Sequence, residues 1–205
     1  MSYADPLPFA PACERNKGPI LEVLTKELPD TGTVLEIGSA TGQHVVHFAR
    51  HLAGWNWQPS DRSEYMHGLR QRLNQEGSAN IAEPIELDVL LDWPDTVFDA
   101  VYSANTAHIM SWEAVCAMFA GVSRCLARGG VFCLYGPFNV GGRFTAPSNE
   151  AFDAQLRRQD PQMGLRDIDD LESLAGQHHM SYVRNHQLPA NNQVLVFKAA
   201  PDNGD

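Results

Sequence analysis

Glu36, Gly38, Ala40 and Gly42 fall on alternate positions directly after the short apolar run Val34-Leu35. An acid followed by small residues at such spacing lets a backbone approach a ligand closely, because no side chain stands in the way. His44 to Leu52 then carry Val45, Val46, Phe48, Ala49 and Leu52 at helical spacing. A strand, a small-residue loop and a helix present a ligand with a strand end and a helix N-terminus. Asp61 follows about 20 residues beyond the loop, where a carboxylate can accept hydrogen bonds from both hydroxyls of a ribose. Asp88 closes another apolar stretch and suits an exocyclic amine, with Val89 or Leu90 beside a planar ring. Asn105 and His108 close a third, where a neutral imidazole can take a proton from a nucleophile. Each has a plainer reading: a helix-starting aspartate, a loop carboxylate, a histidine buried to satisfy backbone groups.

These residues need a scaffold. Trp55–Gln58, Ile85–Val89, Phe98–Asn105 and Val131–Tyr135 read as further strands, and Tyr182–Leu188 with Val194–Phe197 as a terminal hairpin. Helices are expected over Ile20–Leu28, Ser63–Gln75, Trp112–Leu126, Phe152–Arg158 and Leu171–His178. Residues 1–18 read as an irregular arm or lid, with Pro19 in a first helical turn and Arg15 and Asn16 at the helix start. Arg128-Gly129-Gly130 read as a helix C-cap, and residues 199–205 as a polar tail. The Gly-rich span 139–149 is long for a connection, which marks it as functional. Arg143 within it, and Arg166 further on, could grip a substrate carboxylate or phosphate.

Composition narrows the function. The chain has 205 residues, 43% of them hydrophobic and 20% charged, which suits one globular domain with a sizeable core. A net charge of −10, with only 15 Lys and Arg, disfavours a nucleic-acid partner. No apolar run reaches membrane length and no signal peptide opens the chain, so a cytoplasmic protein is expected, a monomer or homodimer. The four cysteines form no C-x-x-C pair and read as free thiols. His44, His47 and His51 share a helix face but lack matching Cys or carboxylate partners, so no metal is expected.

The acid-x-Gly-x-Ala-x-Gly pattern, with Gln43 where a dinucleotide fingerprint would have its last Gly, resembles the first motif of class I methyltransferases. That resemblance implies an α/β, Rossmann-like single domain, its seven-stranded sheet mostly parallel with an antiparallel last strand. It implies S-adenosylmethionine as cofactor and S-adenosylhomocysteine as product. Ala40 would be tolerated with φ below zero. Nearly the whole chain is also similar to a family of small bacterial methyltransferase-like proteins filed as a domain of unknown function, whose animal relatives are named methyltransferase-like. The shared segments include Ala12–Leu21, Leu35–His44, Trp57–Asp61, Asn105–Trp112, Tyr135–Phe138, Ser148–Asp153, Gly164–Asp167 and Pro189–Asn192. Ala40, Ser111 and Met163 depart from that pattern, where Gly, Pro and Trp are expected.

The resemblance names no substrate; the reading is a methyltransferase acting on a small polar molecule, anionic if Arg143 and Arg166 grip it. Arg15, Asn16, Glu36, Gly38, Ser39, Ala40, Thr41, Gly42, Gln43, His44, Asp61, Asp88, Val89 and Asn105 would hold the cofactor. Asn105 and His108 would face the methyl group, and Tyr135, Arg143 and Arg166 the substrate. Two alternatives stay open: a cofactor-binding sensor or partner subunit without catalysis, and a nucleoside or dinucleotide binder. The first fits the lack of an N-P-P-Y motif after the fourth strand; the 38/40/42 spacing argues against the second.

Overall fold

Val34 and Glu36 point to one face of the first strand and Leu35 and Ile37 to the other, and all four are buried. A strand buried on both faces belongs inside a covered parallel sheet. In the computed structural model, which describes residues 6–201, that strand is β1 (Gly32–Ile37), the third strand of a seven-stranded sheet. The other strands are β2 (Trp55–Asp61), β3 (Ile85–Glu86), β4 (Phe98–Ala104), β5 (Leu126–Gly136), β8 (Met180–Leu188) and β9 (Asn192–Ala199). Their order is β3-β2-β1-β4-β5-β9-β8. β1 to β5 run parallel; β9, the last strand, is antiparallel to both its neighbours. The strand order reverses between β1 and β4, which opens a crevice at their C-terminal ends.

One face carries α1 (Pro11–Glu27), α2 (Gln43–His51) and α3 (Ser63–Glu76) over Val34, Trp57 and Tyr102. The other carries α4 (Trp112–Cys125) and α6 (Ile168–Gln177) over Phe132 and Phe197, with Phe119 packed edge-on to both rings. α5 (Pro147–Gln159) and a two-stranded sheet of β6 (Phe138–Asn139) and β7 (Arg166–Asp167) lie between β5 and α6. Among the described residues, no helix is long and apolar enough to cross a membrane.

Several boundaries differ from those expected. α1 begins at Pro11, so residues 11–18 are helix rather than arm, and Pro19 lies in the helix interior. Pro11 takes the first-turn place expected for Pro19, where a missing N–H costs nothing. The first five residues of the expected arm and residues 202–205 of the tail lie outside the described residues. Arg128-Gly129-Gly130 are part of β5, which pairs with β4 across a register shift and starts directly after α4. β3 is only two residues long, and residues 87–97 contain no helix. There the Trp93 indole packs against α4, donating to the Val89 carbonyl at 3.1 Å.

That packing requires glycine at 121. A Cβ at Gly121 would stand 1.9 Å from Trp93 Cε2. Gly121→Ala should therefore cost about 1–3 kcal/mol of stability in urea unfolding, through overpacking. The same change in a Trp93→Ala background should cost little, because a helical alanine is otherwise favoured.

Candidate active site

The loop after β1 bends through three left-handed residues, Gly38 (φ 76°), Ala40 (φ 46°) and Gly42 (φ 71°). Gly38 cannot be larger: a Cβ there would meet Thr106 Cγ2 at 2.7 Å. Its amide and that of Ser39 both donate to the Ser60 carbonyl at 3.0 Å, fastening the loop to β2. The expectation of a negative φ at Ala40 is overturned. A non-glycine residue there costs about 1–2 kcal/mol, and the Ala40 amide gains a 2.6 Å bond to Asp61 Oδ2. Charge-assisted bonds of that kind are strong enough to offset the cost.

Three acids ring the crevice. Glu36 is buried and accepts from the Ser39 hydroxyl at 2.6 Å. Burial pushes its carboxyl up to about 7 against the Ser39 bond, and the Asp61 charge adds to the rise. Asp61, at the end of β2, accepts from the amides of Ala40 and Arg62, one on each oxygen. Burial still raises its pKa, despite those two bonds. A carboxylate has about four acceptor positions, so two remain. Asp88 lies two residues past β3, its Oδ1 accepting from the Leu90 amide at 3.0 Å. Val89 beside it is buried; Leu90 is exposed.

α1 is sewn to the loop. The buried Asn16 Oδ1 meets His44 Nε2 at 2.7 Å, and His44 Nδ1 meets the Tyr102 hydroxyl at 3.3 Å. Burial pushes the His44 pKa down to about 4, so the ring is neutral. An amide oxygen only accepts, so the proton sits on Nε2 and Tyr102 donates to Nδ1. Asn16 also bonds the Tyr135 hydroxyl. Gln43 Oε1 accepts from the Ala10 amide and the Thr41 hydroxyl, while its Nε2 donates to Glu14. Arg72 escaped the sequence reading. Its guanidinium donates to the Thr41 and Pro8 carbonyls and pairs with Glu76. The available signal was a lone cation in the buried stripe Met66, Leu69, Arg72 of α3.

Asn105, at the C-terminal end of β4, also adopts a left-handed backbone (φ 58°) and donates its amide to the Tyr135 carbonyl. Both residues line a cavity of about 210 Å³ with Arg15, Asn16, Ala190 and Asn192. The turn Pro189–Asn191 closes it, held by Asn149 Nδ2 on the Asn191 carbonyl at 3.1 Å. His108 is buried, packs edge-on to Phe152 and lines neither this cavity nor a second, larger one. Burial, with the Arg166 charge adding, pushes its pKa down to about 4. Arg166 is not free for a substrate in the way expected. It spans the Ala107, Met110 and Gln162 carbonyls, anchoring the segment that carries His108. Arg143 sits on an exposed turn after β6, outside both cavities.

Residues 7–199 match the family described as "Protein of unknown function (DUF938)". The chain belongs to this family. Its fold is also that of solved methyltransferases. An O-methyltransferase family protein from Burkholderia thailandensis superposes with a TM-score of 0.80 at 13% identity, covering 94% of this chain and 58% of its own. Human N-acetylserotonin methyltransferase, solved in complex with SAM, gives 0.79 at 13% identity, with 92% and 53% covered. CalO1, a methyltransferase in calicheamicin biosynthesis solved in its SAH-bound form, gives 0.74 at 18% identity, with 91% and 54% covered. The chain thus spans less than three-fifths of each of these structures.

Two outcomes follow from the loop. Ala40→Gly removes the steric cost of the left-handed residue and adds the backbone freedom of glycine, so a net gain of up to about 1 kcal/mol is expected in urea unfolding. Glu36 holds its proton more tightly folded, at about 7, than at its ordinary 4.5. The resulting penalty is absent below about 4.5, grows as pH rises through that window and is complete above 7. Unfolding of the native protein and Glu36→Gln at pH 4.5 and 8 should show the native protein losing stability relative to the variant; equal slopes would contradict the burial argument.

Proposed function

We propose that this protein transfers a methyl group from S-adenosylmethionine to a small polar molecule held in the 210 Å³ cavity. The observation that carries this reading is Asp61. It is pinned at the end of β2 by the glycine-loop amide of Ala40, with acceptor capacity left for a ribose diol. Asp88 keeps Oδ2 outside the bond to Leu90, suited to an adenine amine, and Val89 supplies an apolar surface beside it. The names of the solved neighbours support the same chemistry.

The cofactor supplies an already activated methyl group on a sulfonium, so the protein's share is alignment and exclusion of water. Much of the polar equipment near the loop is engaged within the protein. Glu36, Ser39, Gln43 and His44 bond one another's elements and set the loop's shape. The Thr41 and Ala40 backbone, Asp61, Asp88 and Asn105 are the groups that would face the cofactor. Arg15 gives the acceptor cavity its positive charge, which suits a substrate carboxylate or phosphate. Asn16 donates to the Tyr135 oxygen, which leaves the phenolic O–H to donate into the cavity. Burial raises the Tyr135 pKa, against the Asn16 bond, so the phenol stays protonated and orients an acceptor rather than deprotonating it. His108, buried outside this cavity, is not placed to take the acceptor's proton.

Calorimetric titration with S-adenosylmethionine and S-adenosylhomocysteine tests the cofactor. Asp61→Ala should weaken binding about ten- to a hundredfold, the worth of about 1.5–3 kcal/mol for bonds to a charged group. Unchanged affinity in the variant would remove Asp61 from the site, and no binding by the native protein would end the reading. Transfer of labelled methyl groups into a metabolite extract separates an enzyme from a binding protein. With an acceptor in hand, Tyr135→Phe should raise KM with cofactor affinity intact.

A further inference from the structure

The larger cavity, about 460 Å³, lies where the β6–β7 sheet meets the start of α4 and belongs to none of the chemistry above. Its volume is within the range of small-molecule sites, roughly 300–1,000 Å³. At one end are two cations. Arg166 is buried, and its three hydrogen-bond acceptors are all neutral carbonyls. Arg157 stands beside it, and the adjacent acid, Asp153, is taken by Arg157 at 2.8 Å and by the Leu165 amide. The lining also carries Asp167, whose oxygens accept from the Gly142 and Asp169 amides, so charge of both signs borders the cavity.

The wall also holds unspent acceptors. Asn139 lines the cavity, and its Oδ1 is buried without a hydrogen-bond partner. Buried amide oxygens are nearly always satisfied, so this one signals a missing donor. Asp170 adds a carboxylate at the exposed rim. The Trp112 ring, 41% exposed and 5.9 Å from the Arg166 guanidinium, forms an apolar wall.

We infer that this cavity binds a small zwitterion, an α-amino acid in the simplest case, with its carboxylate between Arg157 and Arg166 and its ammonium toward Asn139 and Asp170. A lone anion would leave both acceptors unused, and a lone cation would be repelled by the two arginines. The side chain of the ligand would lie on Trp112. This site stands independently of the methyl-transfer reading and is measured without any cofactor.

Of the four tryptophans, Trp55 and Trp57 are fully buried and Trp93 is partly so, which leaves Trp112 as the reporter facing the cavity. Each standard α-amino acid is titrated singly while tryptophan emission is followed, with propionate and ethylamine as half-ligands and calorimetry as a second readout. A saturable change with at least one amino acid is expected, absent with either half-ligand. It should weaken at least tenfold in Asn139→Leu and in Arg157→Gln, and the emission change should vanish in Trp112→Phe while the heat remains. Arg157 is exposed, so its variant keeps the test valid should Asn139→Leu fail to fold. Silence with all the amino acids, or equal saturation by propionate, would overturn the proposal.

Discussion

Ala40 occupies a backbone conformation that its side chain opposes, and the carboxylate of Asp61 holds it there. The bond joins the loop after β1 to the end of β2, and the Ser60 carbonyl adds two more amide contacts from Gly38 and Ser39. Without these ties the loop would be free to relax, and Asp61 would lose the donor that fixes one of its oxygens. Glu36 enters the same balance from below. Its burial next to Asp61 favours a protonated carboxyl, which spares the crevice a second negative charge. The geometry at the crevice is therefore a compromise among two acids and one strained residue, none of which can be changed alone without moving the others.

The second layer of this arrangement is the helix α1. Helix propensity alone would not place it, since Pro19 interrupts its backbone bonding and Gly18 precedes it. Ile20, Val23 and Leu24 bury its lower half, while Asn16 and Glu14 reach α2 through His44 and Gln43. Farther along, Glu27 meets Arg184 and His186 of β8 at 2.6 Å each. One helix thus spans the sheet from the glycine loop to the edge strand. Through Asn16 it also sets the orientation of the Tyr135 hydroxyl, so the shape of the acceptor cavity and the shape of the glycine loop share a single support.

Strands and helices whose apolar pattern is strong were legible in the sequence: β1, β4, α2, α4 and the terminal hairpin lie where periodicity puts them. The mostly parallel sheet with its antiparallel last strand was implied by the methyltransferase resemblance, and the structure has it. What periodicity missed has a common cause. The start of α1 is polar and proline-rich, and its order comes from partners about 30 residues away, such as Gln43 and His44. The β6–β7 sheet has two residues per strand and no pattern to find. At the site, residue types left the hydrogen-bond partners open. Arg166 looked like a substrate clamp because arginines are scarce, yet its fork is matched by three carbonyls. Arg72, which the sequence did not single out, is buried against the loop.

Arg166 joins the wall of the larger cavity to the segment after β4. Its guanidinium forms part of the larger cavity's wall while its N–H groups fix the carbonyls of Ala107 and Met110, on either side of His108 and Ile109. The Gly164 amide, two residues before Arg166, holds the His108 carbonyl itself at 2.9 Å. The three bonds of Arg166, to the Ala107, Met110 and Gln162 carbonyls, use its Nε and Nη2. Asn105, at the head of that segment, faces the smaller cavity in a left-handed conformation tied to Tyr135. The segment after β4 is thus gripped at several carbonyls between the residues that line the two cavities.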